Sequence, residues 1–125
     1  MNVVDSSAWL SYFADDENAD AFSVAIENQQ ELLVPSVTIT EVFKTILRQR
    51  DEEVALQAIA HMKLGDVIAL DGELALDAAQ YSLEYKLPLA DSIIYATAKK
   101  YNALVWTQDA DFKLLDGVKY FPKKK

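Results

Sequence analysis

Four short runs constrain this chain most: Val3-Val4, Leu32-Leu33-Val34, Val67-Ile68-Ala69-Leu70 and Ala103-Leu104-Val105-Trp106. Each is continuously apolar, whereas a strand with one wet face alternates apolar and polar residues. A continuous run is buried on both faces, and the helices of βαβ units are what cover it. Segments with helical spacing do separate these runs. The expected fold class is therefore α/β, an α/β/α sandwich around a short, mostly parallel sheet of four or five strands, with 118–121 as the fifth strand at an edge.

The helical segments follow from the same reading. Ser6-Ser7 opens a first helix with Ala8, Trp9, Tyr12 and Phe13 inward, and Ala21, Val24 and Ala25 belong to a second that runs to about Asn28. A third spans 38–50, with Ile39, Val42, Phe43 and Ile46 on one stripe, and a fourth spans 52–63, with Gly65 as its stop. A fifth covers 73–86 and a sixth 90–101, with Ile93, Ile94, Thr97 and Ala98 inward. The 125 residues include three Gly and three Pro, so connections are short and one domain, 1–125, is expected. The basic tail at 123–125 is expected to be disordered. The longest stretches without a charge, 6–14 and 32–40, hold nine residues, against the ~20 apolar residues a membrane-spanning helix needs. Residues 1–5 carry neither a basic region nor an apolar run of signal-peptide length, and a cytosolic location is expected.

Composition excludes several chemistries. There is no Cys, which removes thiol nucleophiles and thiolate metal sites, and one His, His61, which removes a two-histidine ribonuclease mechanism. His61 sits mid-helix and is expected as a helix-surface or core-boundary residue. Gly65, Gly72 and Gly117 are scattered, so no Gly-rich phosphate loop exists. The net charge of −8, from 20 acidic and 12 basic residues, repels polyanions at long range.

The acids are what remain. Asp5 ends the first strand, Asp109 follows the fourth by two residues, and Glu41 and Asp91 lie in the first turns of the third and sixth helices. Residues past the carboxyl ends of parallel strands gather on one edge, where ligands bind. Each acid also has an ordinary role: Asp5 as a helix cap, Glu41 in a Thr38-Ile39-Thr40-Glu41 capping box, Asp91 against a helix dipole and Asp109 in an Asx turn. Four carboxylates on one edge without matching bases are costly unless a cation joins them. Carboxylate oxygens suit Mg²⁺ or Mn²⁺, and such a cluster activates water and stabilises charge on phosphoryl oxygens.

Val3-Val4-Asp5-Ser6-Ser7, Thr40-Glu41-Val42, Leu87-Pro88-Leu89-Ala90-Asp91-Ser92 and Trp106-Thr107-Gln108-Asp109-Ala110-Asp111-Phe112 resemble the successive motifs of PIN-domain nucleases, and most of all those of VapC-type toxins of toxin–antitoxin pairs. The resemblance runs from residue 2 to about 121. It implies a Mg²⁺- or Mn²⁺-dependent endoribonuclease, a homodimer, a cognate antitoxin and RNA as substrate. By it Asp5, Glu41, Asp91 and Asp109 are the catalytic, metal-binding acids, Thr107 supports Asp109 and Ser6 accompanies Asp5. Asp111 is either a further supporting acid or a turn residue. Lys44 and Arg48 share the helical face of Glu41, as phosphate contacts or as an ordinary Glu–Lys pair beside a solvated Arg. Two other classes fit the same length and acidity: a receiver-like signalling domain that takes a phosphoryl group on Asp71 or Asp5, and a non-catalytic protein-binding module whose acids only cap helices.

Overall fold

A computed structural model of the protein describes residues 1–123. Lys124 and Lys125, two of the three residues of the expected basic tail, lie outside the described residues. Five strands form one sheet: β1 (Asn2–Val4), β2 (Leu32–Pro35), β3 (Asp66–Ile68), β4 (Leu104–Thr107) and β5 (Val118–Tyr120). Their order is β3-β2-β1-β4-β5 and every pairing is parallel. The helices are α1 (Ser6–Ala14), α2 (Ala19–Ile26), α3 (Ser36–Gln49), α4 (Glu52–Met62), α5 (Gly72–Tyr85) and α6 (Leu89–Lys100). This is the α/β sandwich that the apolar runs predict.

Strand periodicity decides which side chain enters which layer. Val4, Leu32, Val34 and Trp106 join one buried cluster with Ala8 and Trp9 of α1, Phe22 and Ile26 of α2, Val42 and Ile46 of α3, and Ala55, Ile59 and Met62 of α4. Their neighbours Val3, Leu33 and Val105 join a second cluster on the other face, with Ile94, Tyr95 and Ala98 of α6. The fifth helix packs outside α6, through Leu74 and Ala78 against Ile93 and Ala96. A strand buried on both faces needs both of its side-chain rows apolar, which is why the central runs do not alternate.

The edges depart from the reading by sequence. The third strand covers Asp66–Ile68 rather than 67–70, and Val67 is 40% exposed. It pairs with β2 alone and forms one edge of the sheet. The third helix begins at Ser36, two residues before the expected start, with Pro35 at its cap. Gly65 is not a left-handed helix stop, since Gly117 is the glycine with positive φ among the described residues. Its role is close approach. A Cβ on Gly65 would lie 2.9 Å from Val34 Cγ2 and 3.0 Å from Leu32 Cδ2, both side chains of the buried central layer. Among the described residues no helix is long and apolar enough to cross a membrane.

The Gly65 contact generates a prediction. Gly65→Ala overpacks Val34 and Leu32 and costs about 1–3 kcal/mol. Thermal unfolding of the purified variant shows a Tm lowered by several degrees. An unchanged Tm would mean that β2 and β3 have room the packing denies.

Candidate functional site

The strand order reverses between β1 and β4: the chain leaves β1 toward β2 on one side, and β4 and β5 build the other. At such a point the loops beyond the two strands separate and leave a crevice at their carboxyl ends. Asp5 stands immediately beyond β1, and its backbone N–H donates to the Trp106 carbonyl at 3.1 Å, which extends the pairing of β1 with β4. Its side chain caps α1: Oδ1 accepts from the Ala8 N–H at 2.9 Å and from Ser7 Oγ at 2.8 Å. Oδ2 accepts from Thr107 Oγ1 at 2.6 Å. Thr107 Oγ1 in turn accepts from the Asp109 N–H at 2.8 Å. A single hydroxyl thus joins the acid after β1 to the acid after β4.

Glu41 comes in from α3. The earlier start of that helix places Glu41 in its second turn, so the expected capping box does not form; Thr38 Oγ1 donates instead to the Pro35 carbonyl at 2.7 Å. Glu41 Oε1 accepts from Ser6 Oγ at 2.5 Å. Asp91 lies in the first turn of α6, whose cap residue Pro88 makes no side-chain hydrogen bond. Asp109 does make the expected turn, with Oδ1 accepting from the Asp111 N–H at 2.9 Å at the start of a 3-10 turn over Ala110–Phe112. That turn brings Asp111 back toward α6. One carboxylate oxygen each from Asp91, Asp109 and Asp111 lie within 4.8 Å of one another.

The charges of these groups act on one another. The Asp91 carboxyl is pushed up to about 8, first by burial and then by the charges of Asp109, Asp5, Glu41 and Asp111. All five acids are therefore close enough to share one field. Asp5, 2% exposed, is raised to about 6 by burial, against the hydrogen bonds from Thr107, Ala8 and Ser7, with the Asp109 charge adding to the rise. Among the described residues the side-chain ion pairs fall elsewhere: Lys99 with Asp116 and Lys100 with Asp71. Two unit charges 4–5 Å apart repel by about 3–4 kcal/mol near a protein surface. A donor set made only of carboxylates, with that repulsion uncompensated, fits a hard divalent cation such as Mg²⁺ or Mn²⁺.

The remaining sequence candidates fall as follows. Ser6 bonds Glu41, and it is Ser7 that bonds Asp5. Ser7 escaped the sequence reading, although a serine two residues after an aspartate at a helix start is a recurring local partner for it. Lys44 and Arg48 are exposed on α3 and line an open groove of about 630 Å³ with Ile39, Thr40, Phe43 and Leu47. Among the described residues Lys44 forms no ion pair with Glu41, so the ordinary Glu–Lys pairing is not made. His61 packs edge-on among Trp9, Tyr12 and Phe13, at the boundary of the core as expected.

Comparison with known proteins agrees with this architecture. The family model of the PIN domain matches residues 3–118. Among solved structures, a toxin–antitoxin complex from Klebsiella pneumoniae contains a chain with a TM-score of 0.82 at 21% identity, covering 98% of this chain and 100% of that one. Mycobacterium tuberculosis VapC20, described as a sarcin-ricin loop cleaving toxin, gives 0.80 at 17% identity over 98% and 100%. A DNA-bound VapBC from Salmonella typhimurium gives 0.74 at 16% identity over 97% and 96%. At these identities the likeness is one of fold. No curated protein matches the chain by sequence.

The raised acids set a pH dependence. An unperturbed Asp titrates near 3.9. Between that value and the folded values of about 6 for Asp5 and about 8 for Asp91, the folded chain holds protons that the unfolded chain has released. Stability in EDTA therefore falls as pH rises from about 4 to about 8 and is recovered on acidification through that window. The check is Tm in EDTA from pH 4.5 to 8.5. Asp91→Asn flattens the upper part of the slope, and a wild-type slope left intact by that substitution would contradict the assignment.

Proposed function

The chain belongs to the PIN-domain family, and from that premise we propose that it is a divalent-cation-dependent endoribonuclease and the toxin of a toxin–antitoxin pair. The observation that carries the reading is the convergence of Asp91, Asp109 and Asp111 within 4.8 Å, with Asp5 and Glu41 in the same field. In this reading Asp5, Glu41, Asp91 and Asp109 hold Mg²⁺ or Mn²⁺, directly or through water, and Asp111 joins them. When bound, the cation supplies the positive charge that acidifies water and stabilises the phosphoryl oxygens.

The rest is done by the chain. Thr107 spends its proton on Asp5 Oδ2, which keeps that carboxylate an acceptor with a fixed orientation. Ser7 and the Ala8 N–H hold Oδ1, so the buried acid has no rotational freedom to lose when it is used. Ser6 fixes Glu41 across the crevice in the same way. Asp109 and Asp111 are set relative to each other by one Asx turn. Preorganised ligands of this kind need little rearrangement to meet a scissile phosphate. Cleavage leaves a 5′-phosphate and a 3′-hydroxyl.

RNA as substrate, a cognate antitoxin as protein partner, a homodimer and a cytosolic setting belong to the same proposal, with 1–125 acting as one domain. The net charge of −8 supports a cation in the site, because RNA meets no broad basic surface. Leu83, 85% exposed on α5, and Leu89, 76% exposed at the start of α6, are large apolar side chains that association would cover. The receiver-like reading is disfavoured by two details at Asp71. Asp71 caps α5 through Oδ1, and its Oδ2 faces the Lys100 ammonium at 4.0 Å.

Two measurements test the proposal. In Mg²⁺, Asp5→Asn and Asp91→Asn each lower RNA cleavage by about 100-fold or more with the fold retained; the assay is cleavage-site mapping on total cellular RNA, and full activity in purified Asp5→Asn would end the nuclease reading. Mg²⁺ at about 100 times its Kd stabilises the wild type by about 2.7 kcal/mol. Thermal shift detects that gain and shows it diminished in Asp91→Asn. Absence of any Mg²⁺ or Mn²⁺ shift at millimolar concentration would overturn the metal site.

A further inference from the structure

Beside the acidic site lies a recess of about 430 Å³ walled by Ser7, Gln108, Asp109, Tyr120, Pro122 and Lys123. It shares Ser7 and Asp109 with that site. Its far wall comes from the sheet edge. Tyr120 stands opposite Thr107 in the β4–β5 register, one strand away from the hydroxyl that holds Asp5. The next residue, Phe121, is committed to the core: its ring stacks on Trp106 at 5.9 Å and meets Phe22 edge-on at 5.4 Å. Alternation along an extended chain then leaves Tyr120 to the recess.

Two further observations mark the recess as built for a ligand. Of the six tyrosines, Tyr12, Tyr81, Tyr85 and Tyr95 have ring partners and Tyr101 lies under the Lys100 ammonium. Among the described residues Tyr120 has neither. The second is the clamp behind it. Asn18, 6% exposed, donates through Nδ2 to Gln108 Oε1 at 3.1 Å and to the carbonyls of Phe121 and Pro122 at 3.3 and 3.2 Å. This buried amide ties the segment after β4 to the segment after β5, and so fixes the width of the recess. Gln108 itself is 8% exposed and is held in place by Asn18. Lys123 adds a cation.

An unpaired aromatic face and an ammonium group, side by side next to a carboxylate site, match two parts of one nucleotide: a base to stack and a phosphate to neutralise. We propose that the recess is the subsite for the nucleotide flanking the scissile phosphate of single-stranded RNA, with its base on Tyr120 and its phosphate on Lys123. The inference rests on the nuclease reading and deepens it: substrate is held open and single-stranded, and stacking makes the subsite tolerant of base identity.

The test separates the two. A fluorescein-labelled, mixed-sequence single-stranded RNA decamer is titrated in Mg²⁺ with Asp91→Asn protein, which binds without cutting, and anisotropy gives Kd. Tyr120→Leu in that background weakens binding by about fivefold or more, and Tyr120→Phe, which keeps the ring, restores most of it. Lys123→Gln, at an exposed position that folding does not need, lowers the slope of log Kd against log salt by about 0.7, one phosphate contact on a single strand. In the cleavage-competent protein the Tyr120→Leu loss appears in KM rather than kcat. Unchanged Kd, salt slope and KM in these variants, while the wild type still cuts RNA, overturns the subsite and leaves the nuclease reading standing. A wild type that neither binds nor cuts RNA overturns both.

Discussion

The hydrogen bond from Thr107 Oγ1 to Asp5 Oδ2, 2.6 Å long, spans the one place in this sheet where neighbouring strands send their loops apart. On one side of it the β1 chain turns into α1, capped by the same Asp5. On the other, Thr107 accepts the Asp109 N–H and so directs the backbone into the turn that carries Asp111. Fold and site are therefore not separable here. The group that begins the first helix is the group that anchors the acidic cluster, and a short polar residue is needed at 107 because the opposite partner is a buried carboxylate. A buried acid without such donors costs several kcal/mol. With four donor contacts it is a fixed acceptor instead.

The cluster opposes the stability of the chain that builds it. Burial and mutual repulsion hold the Asp91 carboxyl at about 8, so near neutral pH the metal-free site keeps a proton that an isolated Asp would release. Structural acids are normally placed where a base or a helix dipole relieves them. Here α6 begins behind Asp91 and relieves it only in part, while Lys99 and Lys100 sit at the other end of the same helix. The distribution of basic residues makes sense if the missing positive charge comes from a divalent ion. A protein lysine in the crevice would satisfy the acids permanently and exclude both ion and phosphate.

Much of this was legible from the residues alone, and the reasons differ by level. The central strands could be read because burial on both faces demands continuous apolar runs, as in Leu32-Leu33-Val34. The edge strand β3 could not be bounded, because Val67 and Leu70 look buried by type but lie where the sheet stops covering them. The start of α3 was misplaced by a capping box that fits Thr38 and Glu41; Pro35 opens the helix earlier, and Thr38 turns its hydroxyl back to the Pro35 carbonyl. In the site, Asp5 and Asp109 were legible because each follows a strand, and Asp91 because it opens a helix; Glu41 was named from a first turn that the structure makes the second. Which hydroxyl serves which acid was not. Ser6 and Ser7 are adjacent; Ser7 meets Asp5 locally, two residues on, whereas the bond of Ser6 to Glu41 depends on the roll of α1 against α3, a tertiary quantity. Asp111 could be named, but its approach to Asp91 depends on the Asx turn closing.

On the proposed reading, the recess at Tyr120 would let an acidic chain approach a polyanion. Long-range steering requires a basic field, and a net charge of −8 does not supply one. What remains in that proposal is short-range recognition, in which contacts act only after encounter: a ring face and one ammonium group beside the carboxylates. Such contacts discriminate by shape. A duplex keeps its bases stacked on one another and has no free face to give Tyr120, whereas a loop or single strand does. The rigidity of the recess matters for the same reason. If Asn18 did not hold residues 108, 121 and 122 together, the aromatic surface would move relative to the acids, and in the proposed subsite a stacked base would no longer fix where a phosphate meets Asp91 and Asp109.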